Sequence, residues 1–455
     1  MTTTSTKTKE KVATPTLNPT SPTSSTPPVT SDSKLNPDTT EPTPQTSFKA
    51  TLHPYTLAEK LALVMKAIPK KNPSHPIFLN LLVEADKKTQ TLKLTAFDLR
   101  TCITTRCPAT VEQAGTWTVS AKLLESMVKT LSEEPITLAV NPTSQQVELI
   151  SNLSIYHLPG RSPSDYPALP LLPAVSPLTL PASAFISGLS VLIAASKDEK
   201  KPILNGANFR LEEKLFSIAA TDGHRLAAYS HKLTSPVLPQ SSQPSKTSDT
   251  KSEKAFQPIE LTIPTKDLRD LEQIIDSEAV ETVSLYYDIS QQKGSGSVVA
   301  LEIGNRETTV IARLLDGTYP NWPDLLPRTF ERTFTLNRHA FFNAMERISI
   351  LAEQSQDPEK TVEVDIDVAH KEMRLKVDTP TAGSGREAVG IERIKGDDIS
   401  IAFNAKFLLD GLKAIASEQV QLRINSNSTP VVLESVGNLR FRYLIMPILV
   451  SQPQN

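Results

Sequence analysis

The run Asp222-Gly223-His224-Arg225 places a carboxylate, an imidazole and a guanidinium within four residues. An Asp-x-His pair could hold a metal ion or serve as acid and base. The spacing matches no metal motif, however, and no third ligand is evident. Cys102 and Cys107 are the only cysteines, too few for a four-ligand zinc site or a disulfide framework. There is no phosphate-cradling P-loop, no paired-cysteine motif and no nucleophile elbow. The sequence therefore gives no reason to expect a cofactor or a metal, and a binding pocket fits the run better than catalysis does. His224 and Arg225 would supply donors beside apolar walls, a common design for capturing a peptide.

The elements that must position such a pocket are legible in the patterning. With 455 residues the chain is long enough for about three domains at ~150 residues each. Lys and Arg number 48 against 50 Asp and Glu, so any nucleic-acid partner must meet basic residues concentrated on one face. No run of ~18 apolar residues is present, and the start lacks the apolar core of a secretory signal. Two cysteines suit a reduced, cytoplasmic setting. Residues 1–46 are rich in Thr, Ser and Pro and contain no aromatic residue. Such a stretch buries too little apolar surface to offset its ordering entropy, so a disordered tail is expected. A transit peptide is the alternative, although the tail has no Arg and carries acids at Glu10, Asp32, Asp38 and Glu41. A second polar stretch, about 239–258, reads as a flexible insertion.

Three elements recur in the same order. Leu52 followed by the helical run 57–65 has counterparts from Leu180 through Phe185, Leu189, Leu192 and Ile193, and from Leu336 through Phe341, Phe342, Met345 and Ile348. Each is a strand-like segment running into an amphipathic helix. Leu92–Asp98, Phe216–Asp222 and Met373–Asp378 alternate apolar and polar residues and end in Asp, as a strand entering a turn does. Thr118–Leu124, Thr262–Leu268 and Ala402–Leu408 share a strand-to-helix pattern, with Ser120, Pro264 and Asn404 at the junction. Ser and Asn are good N-caps, and Pro is tolerated at a helix start. The shared lysines of that element lie about 140 residues apart, a domain-sized repeat. The expectation is an α+β protein of three repeated domains, at about 47–175, 176–328 and 329–455, each with two helices and antiparallel sheets.

With the repeat in hand, particular residues match a family. Ala220-Thr221-Asp222-Gly223-His224-Arg225-Leu226-Ala227, Tyr319 to Pro327 and Tyr443 to Ile448 resemble characteristic segments of the bacterial sliding clamps, the β subunits of DNA polymerase III. Leu204-Asn205-Gly206 stands at the family's distance before the first segment. The resemblance covers residues 47 to 450 and implies head-to-tail dimeric rings of three-domain chains around duplex DNA. Twelve helices side by side at ~10 Å give a ring ~38 Å across between helix axes and a hole of ~28 Å. A duplex ~20 Å wide passes through such a hole.

The resemblance also implies which residues act. Helices and loops lining the hole would present Lys60, Lys66, Lys70, Lys71, Lys122, Lys129, Lys197, Lys200, Lys201, Lys266, Arg269, Arg338, Arg347, Lys406 and Lys413 to the phosphates, without reading bases. For any single lysine, a merely solvated helix face is the competing reading. The family's partner-peptide pocket maps onto Thr221, Gly223, His224, Arg225 and Leu226, with Leu204 and with Lys201 in place of the usual Arg. Pro320 and Leu325 follow from the Tyr-Pro segment, and Ser428, Pro430, Leu444, Ile445, Met446, Pro447 and Ile448 from the last domain. Its apolar members could equally be core between domains two and three. Asn72 and Asp198 stand where the family has residues that help engage DNA, which puts those two contacts in doubt. The implied partners are a second copy, duplex DNA, a polymerase, an ATP-driven loader and other proteins carrying short clamp-binding peptides. An uncharacterised α+β enzyme or a scaffold with no DNA role are the alternatives that the residues leave open.

Overall fold

Each strand-to-helix junction forms where an alternating apolar run gives way to apolar spacing of three and four residues. The computed structural model places the strands Gly115–Ser120, Ile259–Pro264 and Ile399–Asn404 directly before helices α2 (Ala121–Val128), α4 (Thr265–Glu278) and α6 (Ala405–Ala414). The other repeated element yields α1 (Pro54–Val64), α3 (Ala182–Leu189) and α5 (Arg338–Gln354). The structure describes residues 47–71, 73–141, 143–234, 258–288, 297–304, 306–380 and 383–449. The expected tail, Asn72 and nearly all of the 239–258 insertion lie outside the described residues. Those described fall within one unit, Pro44–Asn455.

The junctions differ in chemistry. Asn404 accepts a hydrogen bond from the Phe407 amide at 3.2 Å, as expected of an N-cap. Ser120 occupies the same position but makes no side-chain cap bond, which corrects the expectation. Pro264 stands at the N-cap itself, with α4 continuing from Thr265. Helix faces then bury at helical spacing: Leu268, Leu271, Ile274 and Ile275 in α4, and Ala405, Leu408, Gly411 and Leu412 in α6. α1 packs on α2, α3 on α4 and α5 on α6.

Two antiparallel sheets carry these helices, one of 13 strands and one of 12 among the described residues. Neither stops at a domain boundary. Thr308–Arg313 of the second domain pairs with Thr101–Pro108 of the first, and Thr105 and Thr308 share a side-chain hydrogen bond of 2.9 Å across that joint. Arg225–Lys232 of the second domain pairs with Asn438–Ile445 of the third. Backbone ladders therefore join the domains, and a buried apolar cluster runs from Phe48 to Ile445 beneath them.

Candidate peptide cleft and basic face

The strand Leu215–Thr221 ends in a turn at Gly223, whose φ of +98° favours glycine. Asp222 organises that turn. Its Oδ1 accepts from the amides of His224 at 2.9 Å and Arg225 at 3.1 Å. Its Oδ2 accepts from Arg225 Nε at 2.9 Å. These bonds occupy the carboxylate of the Asp-x-His pair in turn geometry, and among the described residues no three His, Cys, Asp or Glu side chains converge as metal ligands would.

Alternation along the next strand then sorts the motif by face. Leu226 and Ala228 point to one side, where with Leu204, Tyr319, Trp322 and Leu444 they form a compact apolar cluster between the second and third domains. Tyr319 ties the linker onto the motif, its hydroxyl accepting from the Thr221 amide at 3.0 Å. Burial holds that phenol well above its usual range, so it stays protonated. The Met446 amide donates to the His224 carbonyl at 2.9 Å and closes the end of the cluster. Leu204, Leu226 and Leu444 make a buried floor, while Gly223, His224, Pro320, Leu325 and Met446 are exposed around it. Val432 pairs with Leu444, so the same register brings Pro430 toward Met446, with Ser428 exposed in the turn beyond. Pro447 and Ile448 are half-buried, and Ile448 donates to the Ala402 carbonyl at 2.8 Å. Lys201 is exposed just before Leu204.

Two expected pocket residues face the other way. Ile445 is fully buried in the main core, on the opposite side of its strand from Leu444. Arg225 is 7% exposed, and its Nε and Nη1 donors are committed within the protein. Its Nη1 donates to Asp410 Oδ2 on α6 at 2.6 Å and lies 3.3 Å from the Tyr443 hydroxyl. Its guanidinium carbon sits 4.3 Å from the Phe407 ring centroid. Arg225 therefore latches the second domain to the third. Tyr319, Trp322, Leu326 and Val432 also belong to the apolar cluster, beyond the residues that the family segments point to. The Tyr-Pro-Asn-Trp run held the signal for the first two, because an aromatic pair in a linker needs a surface to cover.

Tyr443 receives α6 closely on that inner side. It donates to the Phe407 carbonyl at 2.8 Å, and a Cβ at Gly411 would lie 2.5 Å from its ring. Gly to Ala inside an exposed helix commonly gains about 1 kcal/mol. Gly411→Ala should instead lose about 1–3 kcal/mol, because the helix must move off the ring. Denaturant unfolding checks the sign, and a stabilised variant would mean that α6 is not seated on Tyr443.

The expected basic face is only partly available. Lys60 is withdrawn from it: the side chain is 13% exposed and binds Glu278 at 2.9 Å and Glu307 at 3.6 Å, tying the first domain to the second. Arg338 donates to the carbonyls of Ser417 at 2.7 Å and Leu412 at 3.3 Å, closing the C-terminal end of α6. Arg347 grips Glu387 through two hydrogen bonds of 2.8 and 2.7 Å. Lys66 contacts Gln273. Lys129, Lys266 and Lys406 have acidic neighbours one helical turn away but remain exposed. Lys70, Lys71, Lys122, Lys197, Lys200, Lys201, Arg269 and Lys413 are exposed. Lys197, Arg269 and Lys406 line one cavity of about 360 Å³ together with Asp222 and Asp410. Asp198 spends its carboxylate on its own turn, accepting from the Lys200 amide at 2.9 Å.

Comparison with known proteins accounts for the repeat. Residues 48–170, 183–321 and 324–449 match the N-terminal, central and C-terminal domain families of the DNA polymerase III beta subunit. The chain is 37% identical over 395 residues to the beta sliding clamp of Synechococcus elongatus, spanning 86% of this chain and 96% of that relative. It is 35% identical over 399 residues to that of Synechocystis, spanning 86% of this chain and 97% of the relative. The crystal structure of the Bacillus subtilis DNA polymerase sliding clamp superposes with a TM-score of 0.77 at 23% identity, covering 89% of this chain and all of that one. Three matched domains in their expected order, on a chain whose sheets run through both joints, place this protein in the DNA polymerase III beta subunit family, the DNA sliding clamps.

Proposed function

We propose that two copies of this sliding clamp close head to tail into a ring around duplex DNA, and that the cleft at each second-to-third domain joint holds the peptides of its partners. As a DNA sliding clamp the protein is a processivity factor without catalysis of its own. No helix among the described residues is long and apolar enough to cross a membrane. Work in the cytoplasm with a polymerase and an ATP-driven loader belongs to the same proposal.

The observation that carries ring closure is the way the joints repeat. In the first joint the fourth strand of domain one, Thr101–Pro108, pairs with the last strand of domain two, Thr308–Arg313. In the second the corresponding strand of domain two, Arg225–Lys232, pairs with the last strand of domain three, Asn438–Ile445. One strand of each kind is left over: Gly383–Lys395 in domain three and Ser154–Arg161 in domain one. Among the described residues, 383–390 and 154–159 are ladder-bonded along one edge only. A third joint of the same kind needs a second chain, and two chains make two such joints. Leu153, 96% exposed, and Ile155, 58% exposed, offer apolar surface at the domain-one edge. Exposed lysines across the three domains would hold phosphates without sequence preference.

The cleft reading rests on an apolar floor with an exposed rim. Met446, 39% exposed, is the rim residue best suited to repack around a ligand. Met446→Ala should weaken binding of a short apolar and aromatic peptide by ~1–2 kcal/mol, about the value of a buried side chain. Removal of residues 446–455 should cost more, since that wall goes with them. Neither change should open the ring, because the cleft lies away from both free edges. Calorimetric titration of a polymerase-tail peptide decides it; unchanged affinity in Met446→Ala would remove that residue from the site.

A further inference from the structure

A second groove lies on the same sheet face, beyond the linker that walls the cleft. Its cavity measures about 510 Å³, within the range that takes a short segment of ligand. Leu215, Ala228 and Leu326 give it an apolar floor. Four arginines line it, Arg328, Arg423, Arg440 and Arg442, against a single carboxylate, Glu434. That carboxylate is 3% exposed and already shared, with Oε2 3.3 Å from Arg423 Nη2 and Oε1 3.5 Å from Arg442 Nε. Positive charge thus exceeds negative around an apolar floor, in a protein whose formal net charge is −2. Trp322 and Leu326 belong to both the groove and the cleft cluster, so a ligand leaving the cleft across this linker meets the arginines next.

We propose that this groove holds an acidic segment flanking the apolar anchor of a partner peptide, so that specificity among partners depends partly on acidic residues outside the anchor; the inference rests on the cleft reading above. Guanidiniums on an apolar floor suit carboxylate side chains interspersed with aliphatic ones. A single nucleic-acid strand fits less well, because it needs open aromatic faces for its bases. Here the Arg423 guanidinium carbon already lies 5.4 Å from the Phe330 ring centroid. Trp322 is 6% exposed, with its indole N–H donating to Asn208 Oδ1 at 3.0 Å.

The test uses the full-length protein and a fluorescent apolar and aromatic peptide, with and without a run of glutamates appended to either end. On the wild type, one of the flanked peptides should bind about tenfold more tightly than the bare anchor, and the gain should fade in high salt. Arg328→Glu/Arg440→Glu, at two exposed positions, should abolish that gain and leave the bare anchor's affinity unchanged; Arg328→Glu alone should remove part of it. No gain from either flank, or a gain that survives both variants, overturns the proposal. Failure of the bare anchor to bind the wild type would instead refute the cleft reading. The glutamate run alone still reports on the groove, through weak, salt-sensitive binding that the variants remove. Oligo-dT bound more tightly than the glutamate run, and lost in the variants, would assign the groove to nucleic acid and overturn the proposal.

Discussion

Loaded onto a nicked circular duplex, the protein should remain bound through a salt challenge; on the same DNA cut once into a linear form it should run off the end. The expectation follows from holding DNA by encirclement, with contacts to phosphates that are individually weak and salt-sensitive. Affinity without topology would release both forms alike, so equal lifetimes on circle and line would sink the ring. The unpaired edges make the result conditional on the dimer. Native mass spectrometry should report twice the 49.8 kDa chain mass. Ile155→Asp combined with Ile350→Asp, the latter 60% exposed on α5, the helix that packs on Gly383–Lys395, should yield monomers that no longer stay on circles. Monomers that still hold circular DNA would place the closure elsewhere.

Replacing the latch should destabilise the joint between the second and third domains. Arg225→Met would take away the cation shared by Asp222 and Asp410, whose side chains are 16% and 20% exposed, leaving Asp222 its two amide donors and Asp410 the exposed Lys406 at 3.8 Å. Removal of one partner from a buried, multiply bonded charge network costs about 3–5 kcal/mol where the remaining charges are left uncompensated, and about 3 kcal/mol is expected here because Lys406 still faces Asp410. Part of that loss should return when both aspartates become asparagines in the Met background, since repulsion between them disappears. Peptide affinity should fall too, because Asp222 and Arg225 hold the turn that presents His224. Thermal and denaturant unfolding measure the first effect. A loss below about 1 kcal/mol would show that the guanidinium is no better held than a surface pair.

The contrast between Leu444 and Ile445 shows how far sequence matching reaches. Both fall in a segment that matches the family, and neither residue type says which faces a ligand. Strand alternation does: Leu444 joins the cleft cluster and Ile445 the central core. Lys60 and Lys122 look equally suited to a basic lining, yet only Lys122 is exposed. Lys60 meets Glu278, more than 200 positions away in sequence, and no local pattern encodes that meeting.

By itself, then, the sequence determined the three-fold repeat, its strand-to-helix junctions and the family, because period, capping chemistry and local motifs are properties of neighbouring residues. It also marked Leu204, Leu226 and Leu444, which lie within recognisable segments and which the fold packs into one buried cluster. Tertiary structure alone decided which charges stay free. A cation's availability depends on which acids and carbonyls the fold carries to it, and so Lys60 and Arg225 became joints between domains and Arg338 a clasp within the third, while Lys197, Arg269 and Lys406 came to line one cavity. The unpaired edges were likewise invisible beforehand, because a strand's missing neighbour is known only after every other strand has found its own.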